Sequence, residues 1–195
     1  MAELMRLEAL RIIDTTFPDQ PIVIALGTMV REMLSITGLK DNHLHVLDSM
    51  GLPPAIGLGL ALGLEDSKFE KLVVIEGDGG LLMGFTTMTT IGRLKPKKLI
   101  LIVLDNGAYA ATGSQPTGAD ATDFVGVARA CGFADARDVE GAANLERELA
   151  DARKTDGPLL LRVKIGPHNV KTGYFLKDPV LLHHAFLDFI KRNHA

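Results

Sequence analysis

The sequence predicts an α/β fold, a parallel sheet of about six strands with helices on both faces. One domain is expected over residues 1–195, with its core at roughly 20–166. Three observations support this. The strongest apolar runs, such as Val73-Val74-Ile75, are hydrophobic throughout rather than alternating, as in strands covered on both faces. These runs alternate with stretches of helical periodicity, the pattern of βαβ units. A chain of 195 residues, 47% hydrophobic and 23% charged, suits one globular domain able to bury a core.

The elements follow in order. Leu4, Leu7, Leu10 and Ile13 recur at helical spacing, which predicts a helix over 3–14. The segment 21–27, PIVIALG, is a buried strand ended by Gly27, and 28–37 is helical. HLHVLD (43–48) is a short strand. PPAIGLGLALGL (53–64) is a helix whose prolines suit its first turn. KLVVIEG (71–77) is a strand, and 81–94 one helix of mixed quality. KKLILIVLDN (97–106) is the strongest strand in the chain. A helix over 122–131 has Asp123 near its start, a weak strand follows at 133–139, and a helix at 141–154. A strand at 157–166 and a closing helix at 178–192, behind Asp178-Pro179, complete the chain.

Composition excludes several classes. There are 21 basic and 24 acidic residues, for a net charge of −3 and no basic block, so no nucleic-acid footprint is present. A single cysteine, Cys131, forms no internal disulfide and cannot supply the four thiolates of an iron–sulfur cluster. The N-terminus, MAELMRLEAL, has two glutamates and no long apolar core, unlike a signal peptide. The longest apolar stretch, Gly51–Leu64, is 14 residues with two prolines, short of the roughly 20 that cross a bilayer. A soluble cytoplasmic protein is expected, with no membrane association.

In open α/β sheets, ligands bind beyond the carboxyl ends of the strands. Attention therefore falls on Gly27-Thr28, Asp48-Ser49-Met50-Gly51, Gly77-Asp78-Gly79-Gly80 and Asp105-Asn106-Gly107. Asp78 and Asn106 each follow a strong strand and stand 28 residues apart, room for a helix and a return strand, so both can reach the same sheet edge. A carboxylate, an amide oxygen and a backbone carbonyl are hard donors that suit Mg²⁺. Gly79 and Gly80 let backbone approach a ligand closely and open the helix expected at 81, whose free N–H groups suit an anion. Asp78 alone reads equally as a helix cap, and Asp-Asn-Gly as a turn.

GDGG (77–80) followed by DNGAYA (105–110) resembles the diphosphate-binding motif of thiamine diphosphate-dependent enzymes. SMGLPPAIGLGLALG (49–63), the run from 77 to 117 and KDPV (177–180) resemble more narrowly the sulfopyruvate decarboxylase beta subunits and the matching half of phosphonopyruvate decarboxylases. The resemblance implies thiamine diphosphate and Mg²⁺ as cofactors. It implies Mg²⁺ ligation by the side chains of Asp78 and Asn106 and by the carbonyl of Ala108. Gly77, Gly79, Gly80 and Leu81 would lie along the diphosphate, and Tyr109 beside it. Met50 would prop the cofactor in its bent form, with Asp48 and Ser49 near the aminopyrimidine. Two departures stand out: Asp105 precedes Asn106 where relatives have Asn-Asn, and Asp48 stands where they often have Gly.

The implied reaction is non-oxidative decarboxylation of a 2-oxo acid, sulfopyruvate giving sulfoacetaldehyde. Related chemistry is the alternative: acetolactate synthase-like carboligation, or a 2-oxo acid oxidoreductase subunit, against which the lone cysteine argues. A non-catalytic cofactor-binding module is the reading from another class. The family's activating glutamate belongs to a second domain for which residues 1–20 and 167–195 leave no room. An alpha-type subunit carrying it is therefore the expected partner, in a hetero-oligomer. Asp14, Glu32 and Glu76 are acids near the first strands and take no assignment. His43, His45, Arg31 and Lys171 are candidates for an anion or proton-transfer role, and 111–118 is a loop placed to lie over the site.

Overall fold

In the computed structural model, residues 3–167, 169–173 and 178–193 are described. Helix α1 (Arg6–Thr16) leads into strand β1 (Ile22–Ile24), α2 (Thr28–Thr37), β2 (His43–His45), α3 (Pro53–Gly63) and β3 (Leu72–Gly77). Helices α4 (Asp78–Met83) and α5 (Thr87–Leu94) precede β4 (Leu99–Asp105). A small antiparallel pair, β5 (Ala108–Tyr109) and β6 (Gln115–Pro116), and a 3-10 turn (Ala119–Ala121) come next. Then follow α6 (Phe124–Cys131), β7 (Asp135–Glu140), α7 (Ala142–Ala152), β8 (Leu159–Lys164) and α8 (Pro179–Asn193).

Six strands pair in parallel in the order β2-β1-β3-β4-β8-β7. All seven residues of β4 are buried, so its apolar run is that of a strand covered on both sides. Alternate residues serve opposite layers. Val73, Ile75, Ile100 and Ile102 pack with Leu10 and Ile13 of α1, Met33 of α2 and Leu145 and Leu149 of α7. Leu72, Val74, Leu101 and Val103 pack with Leu58 of α3, Met88 and Ile91 of α5 and Phe124 of α6. The expected doubly covered sheet is present.

The strand order reverses beside β1. The chain moves outward from β1 to β2, then returns to place β3 on the other side of β1. A crevice opens at such a reversal, above the carboxyl ends of the strands.

Two expectations are corrected. The helix read over 81–94 is two helices, and the first already begins at Asp78. Gly84 closes α4 because it lies against the backbone of Gly51, where a Cβ would collide with the Gly51 carbonyl. The strand read to Asp48 ends at His45, leaving Asp48 exposed on the following loop. Asp123 caps α6 as expected, accepting from the Gly126 N–H at 2.7 Å. Of KDPV, Lys177 lies outside the described residues, while Asp178 accepts from the Val180 N–H at 2.8 Å at the start of α8. Among the described residues, no helix is long and apolar enough to cross a membrane.

Candidate active site

Register brings the two motifs together. Strands β3 and β4 are neighbours, and Gly77 pairs with Leu104. Asp78 and Asn106 therefore leave adjacent strands within one residue of the same level. Both line a cavity of about 160 Å³ at the reversal between β1 and β3. Met50, Gly77, Gly79, Gly80, Ala108 and Tyr109 line it too. Asp48 and Ser49 do not contribute to the lining, nor does Leu81, which is fully buried in the core beneath.

Asp78 is 2% exposed. Its carboxylate accepts from the Thr117 hydroxyl. Burial raises its pKa above the ordinary carboxylate value; the Thr117 hydrogen bond opposes this, and the Asp105 charge adds to it. The Asn106 side-chain oxygen accepts from the Ala108 N–H at 3.2 Å, which holds the turn after β4. The Ala108 carbonyl accepts from Ala110 at 2.9 Å.

Asp105, the first departure from the motif, is accommodated by charge. It is 1% exposed, yet Arg162 Nε and Lys164 Nζ both donate to its Oδ2 at 2.7 Å, and the Gly107 N–H donates to Oδ1 at 3.0 Å. Burial pushes this carboxyl up, but the Lys164 and Arg162 hydrogen bonds outweigh it and hold the pKa below the usual value. Asp105 is thus an internal ion-pair partner and leaves the adjacent Asn106 to face the cavity.

Glu76, which also lines the cavity, is 2% exposed. Its Oε1 accepts from the Gly77 N–H at 2.9 Å, while its Oε2 has no partner among the described residues. Burial pushes its pKa up to about 7, the Gly77 hydrogen bond opposes this, and Asp78 adds to it.

The donor set fits the cofactor that the motif implies. Asp78, Asn106 and Ala108, which carry a carboxylate, an amide oxygen and a backbone carbonyl, all line one cavity, and such hard oxygens are the donors that suit Mg²⁺. Close backbone approach is built in. A Cβ on Gly79 would strike the Tyr109 ring, and one on Gly80 would strike Glu76. A second set of backbone donors comes from Gly27, Thr28 and Met29, where the 10-residue α2 begins without a side-chain cap. An anion held there meets the free N–H groups of a helix start.

Several contributors were not singled out from sequence. Met29 lines the cavity beside Gly27 and Thr28, the strand-end pair that the sequence did point to. Arg6 also lines it; Glu32 holds this side chain with two hydrogen bonds at 2.8 and 2.9 Å, and Asn169 accepts from it as well. No periodicity signal marks an arginine on the first turn of a helix as a cavity residue. Thr117, inside the loop expected to cover the site, reaches Asp78.

The remaining candidates lie elsewhere. His43 and His45 are buried in β2 and do not line the cavity; His43 Nε2 is 3.1 Å from Asp14 Oδ1, and Asp14 is also bound by Lys40 at 2.7 Å. Arg31 and Lys171 are exposed and away from the lining.

Comparison with known proteins identifies the family. Residues 26–163 match the family described as thiamine pyrophosphate enzyme, C-terminal TPP binding domain. The chain is 34% identical over 194 residues to the sulfopyruvate decarboxylase subunit beta of Methanococcus maripaludis, covering 97% of this chain and 100% of that one. It is 35% identical to the phosphonopyruvate decarboxylase of Streptomyces viridochromogenes over 76% of its own length but 36% of that protein. The solved thiamine diphosphate-dependent 4-hydroxybenzoylformate decarboxylase of Rhodococcus jostii RHA1 superposes with a TM-score of 0.71 at 19% identity, covering 87% of this chain and 34% of that one, and shows the shared fold. The chain thus spans about a third of such full-length structures and the whole of the Methanococcus maripaludis beta subunit. It belongs to the thiamine pyrophosphate-dependent decarboxylase family, as that family's C-terminal TPP-binding domain.

Proposed function

We propose that residues 1–195 form the beta-type subunit of a two-subunit, Mg²⁺- and thiamine diphosphate-dependent decarboxylase that converts sulfopyruvate to sulfoacetaldehyde. The observation that carries this is the meeting of Asp78, Asn106 and Ala108 at one cavity over adjacent strand ends. The substrate assignment rests on likeness to the sulfopyruvate decarboxylase beta subunits along nearly the whole chain.

In this reading, Asp78, Asn106 and the Ala108 carbonyl hold Mg²⁺, and the backbone at Gly79, Gly80, Thr28 and Met29 receives the diphosphate. Bound thiamine diphosphate would supply the nucleophilic carbon that adds to the 2-oxo group and the electron sink for loss of carbon dioxide. The chain's own residues bind, orient and exclude water. Met50, 39% exposed at the cavity rim, supplies an apolar prop for the cofactor rings. Asp48 and Ser49, on the loop before it, are kept for the aminopyrimidine end. Tyr109, packed over Gly79, closes the diphosphate end against solvent.

A partner is part of the proposal. Met50, Leu52 and Met83 are 39%, 50% and 62% exposed, and the contact of Gly51 with Gly84 brings their loops together at the cavity mouth. An apolar patch beside an open site is suited to a second subunit carrying the activating glutamate.

The test is reconstitution with the alpha-type partner, Mg²⁺ and thiamine diphosphate. Carbon dioxide release from sulfopyruvate is expected, and absence of release from any 2-oxo acid defeats the proposal. Asp78→Ala should abolish Mg²⁺-dependent cofactor binding by calorimetry with an unchanged melting curve. Met50→Ala should retain binding and lower turnover by roughly 10–100-fold, the order that misplacement of a reacting group costs.

A further inference from the structure

We propose that Arg6 binds the terminal phosphate of thiamine diphosphate and so completes an anion subsite with the uncapped start of α2; the inference rests on the metal–diphosphate reading above.

Arg6 lies outside residues 26–163, the part of the chain that matches the cofactor-binding family. Among the described residues that line the cavity, it is the one Lys, Arg or His. It opens α1, and the fold brings that helix start to the carboxyl end of the sheet: the Gly166 N–H, just past β8, donates to the Leu4 carbonyl at 2.9 Å. The side chain is 7% exposed. Its Nε donates to Glu32 Oε2, and its Nη2 to Glu32 Oε1 and Asn169 Oδ1. Nη1 has no hydrogen-bond partner among the described residues. A guanidinium has donors on all three nitrogens and no acceptor, so with Nε and Nη2 turned to Glu32, Nη1 is the donor left for a ligand.

Two contacts put that donor beside the start of α2 and the diphosphate end of the cavity. Glu32 lies four residues after Thr28, so the two share a face of α2 one turn apart. Asn169 Nδ2 donates to the Ala110 carbonyl at 2.8 Å, in the loop that also carries Tyr109. Helix α2 begins at Gly27 without a side-chain cap, which leaves its first N–H groups in need of an acceptor. A phosphate accepts from such N–H groups and from a guanidinium at once. Glu32 limits what Arg6 offers. It occupies one edge of the fork, so the anion meets a single anchoring edge. The charged residues on the rest of the lining, Asp78 and Glu76, are acids. A cation beside α2 thus supplies at that end the charge that the metal would supply beside α4.

The experiment titrates the full chain with thiamine diphosphate and with thiamine monophosphate by calorimetry in Mg²⁺. The monophosphate lacks the terminal phosphate, so the ratio of the two affinities isolates it. Arg6→Met alone would strand the buried Glu32 charge, so the main variant combines Arg6→Met with Glu32→Gln. Glu32→Gln alone keeps the guanidinium. Arg6→Lys keeps a cation for Glu32 but not the rigid fork that frees a second donor edge. The diphosphate/monophosphate affinity ratio should fall roughly tenfold or more in the double variant and in Arg6→Lys, the order of one charged hydrogen bond, and hold its wild-type value in Glu32→Gln. Equal losses for both ligands would make Arg6 a structural tie between α1 and α2 and overturn the inference, as would an unchanged ratio. If the double variant does not fold, Arg6→Lys and Glu32→Gln decide. Asp78-dependent binding of thiamine diphosphate with indifferent Arg6 variants overturns this inference alone. A wild-type chain that binds neither ligand overturns the underlying site reading with it.

Discussion

His43 and His45 illustrate how a residue's chemistry is decided by its face of the sheet. Both point from β2 into the layer beneath α1, where His43 meets Asp14 and the two rings pack edge to face at 5.9 Å. His45 has no hydrogen-bond partner among the described residues. Burial lowers its pKa from 6.5 to about 4, and the neighbouring His43 adds to the shift. The depressed value sets the sign. The unfolded chain takes up a proton near pH 6.5 that the folded chain refuses until about pH 4, so stability is full above pH 6.5 and falls as the pH drops through that window. The ceiling is on the order of 3 kcal/mol, from roughly 1.4 kcal/mol per pH unit. Thermal melts between pH 7.5 and 4.5 should show this loss, and His45→Leu should flatten it. A variant with the same acid sensitivity as wild type would place the protonation elsewhere; the Asp14–Lys40–His43 group faces the same layer and is the next place to look.

Among the elements, the break between α4 and α5 has a long-range cause. Residues 81–94 carry enough apolar periodicity to read as one helix, yet Gly84 must sit flat on Gly51 for the two loops to cross. That contact joins positions far apart in sequence, so local pattern does not reveal it. The central strands were legible because a strand covered on both faces is apolar along most of its length, as β4 is up to Asp105, whereas β7, polar and partly exposed at the sheet edge, gave only a weak signal. The Asp78 and Asn106 pair was legible for a related reason: strand ends in a parallel sheet have a fixed place. The Thr117 contact and the Arg6–Glu32 pair were not, since each depends on how a loop or a first helix folds back. Helix packing offers a test at this scale. Gly92 of α5 lies against the Cys131 carbonyl at the end of α6, and a Cβ there would overlap the oxygen. Gly92→Ala should therefore destabilise the fold by roughly 1–3 kcal/mol in denaturant melts, the usual cost of overpacking, despite alanine's better helix propensity. A neutral or stabilising result would show that α5 and α6 can separate without cost. Gly63→Ala, at the end of α3 with open space around it, is the matched control.

At the scale of the whole molecule, the proposed function calls for a second subunit beside the cavity. The chain covers 33–34% of the solved enzymes that share its fold. The sheet, its two helical layers and the strand-end loops account for one wall of the site. Met50 lines the cavity, and Leu52 and Met83, which flank the Gly51–Gly84 contact, are likewise exposed apolar side chains. If a partner covers them, their loss should weaken assembly without touching the fold. Leu52→Asp places a charge where apolar contact is expected and removes nothing from the buried core, since Leu52 is 50% exposed. It should reduce affinity for the alpha-type subunit at least tenfold, roughly 1.4 kcal/mol, in sedimentation or calorimetry, with the melting temperature of the isolated chain unchanged. Leu94→Asp is the control. Leu94 is 46% exposed, but it closes α5 ahead of β4, at the amino end of the strands and away from the cavity. Equal loss from both substitutions would mean that the partner does not read the cavity mouth. Loss confined to Leu52→Asp would locate the interface beside the cavity, where the proposed partner would bring the activating glutamate.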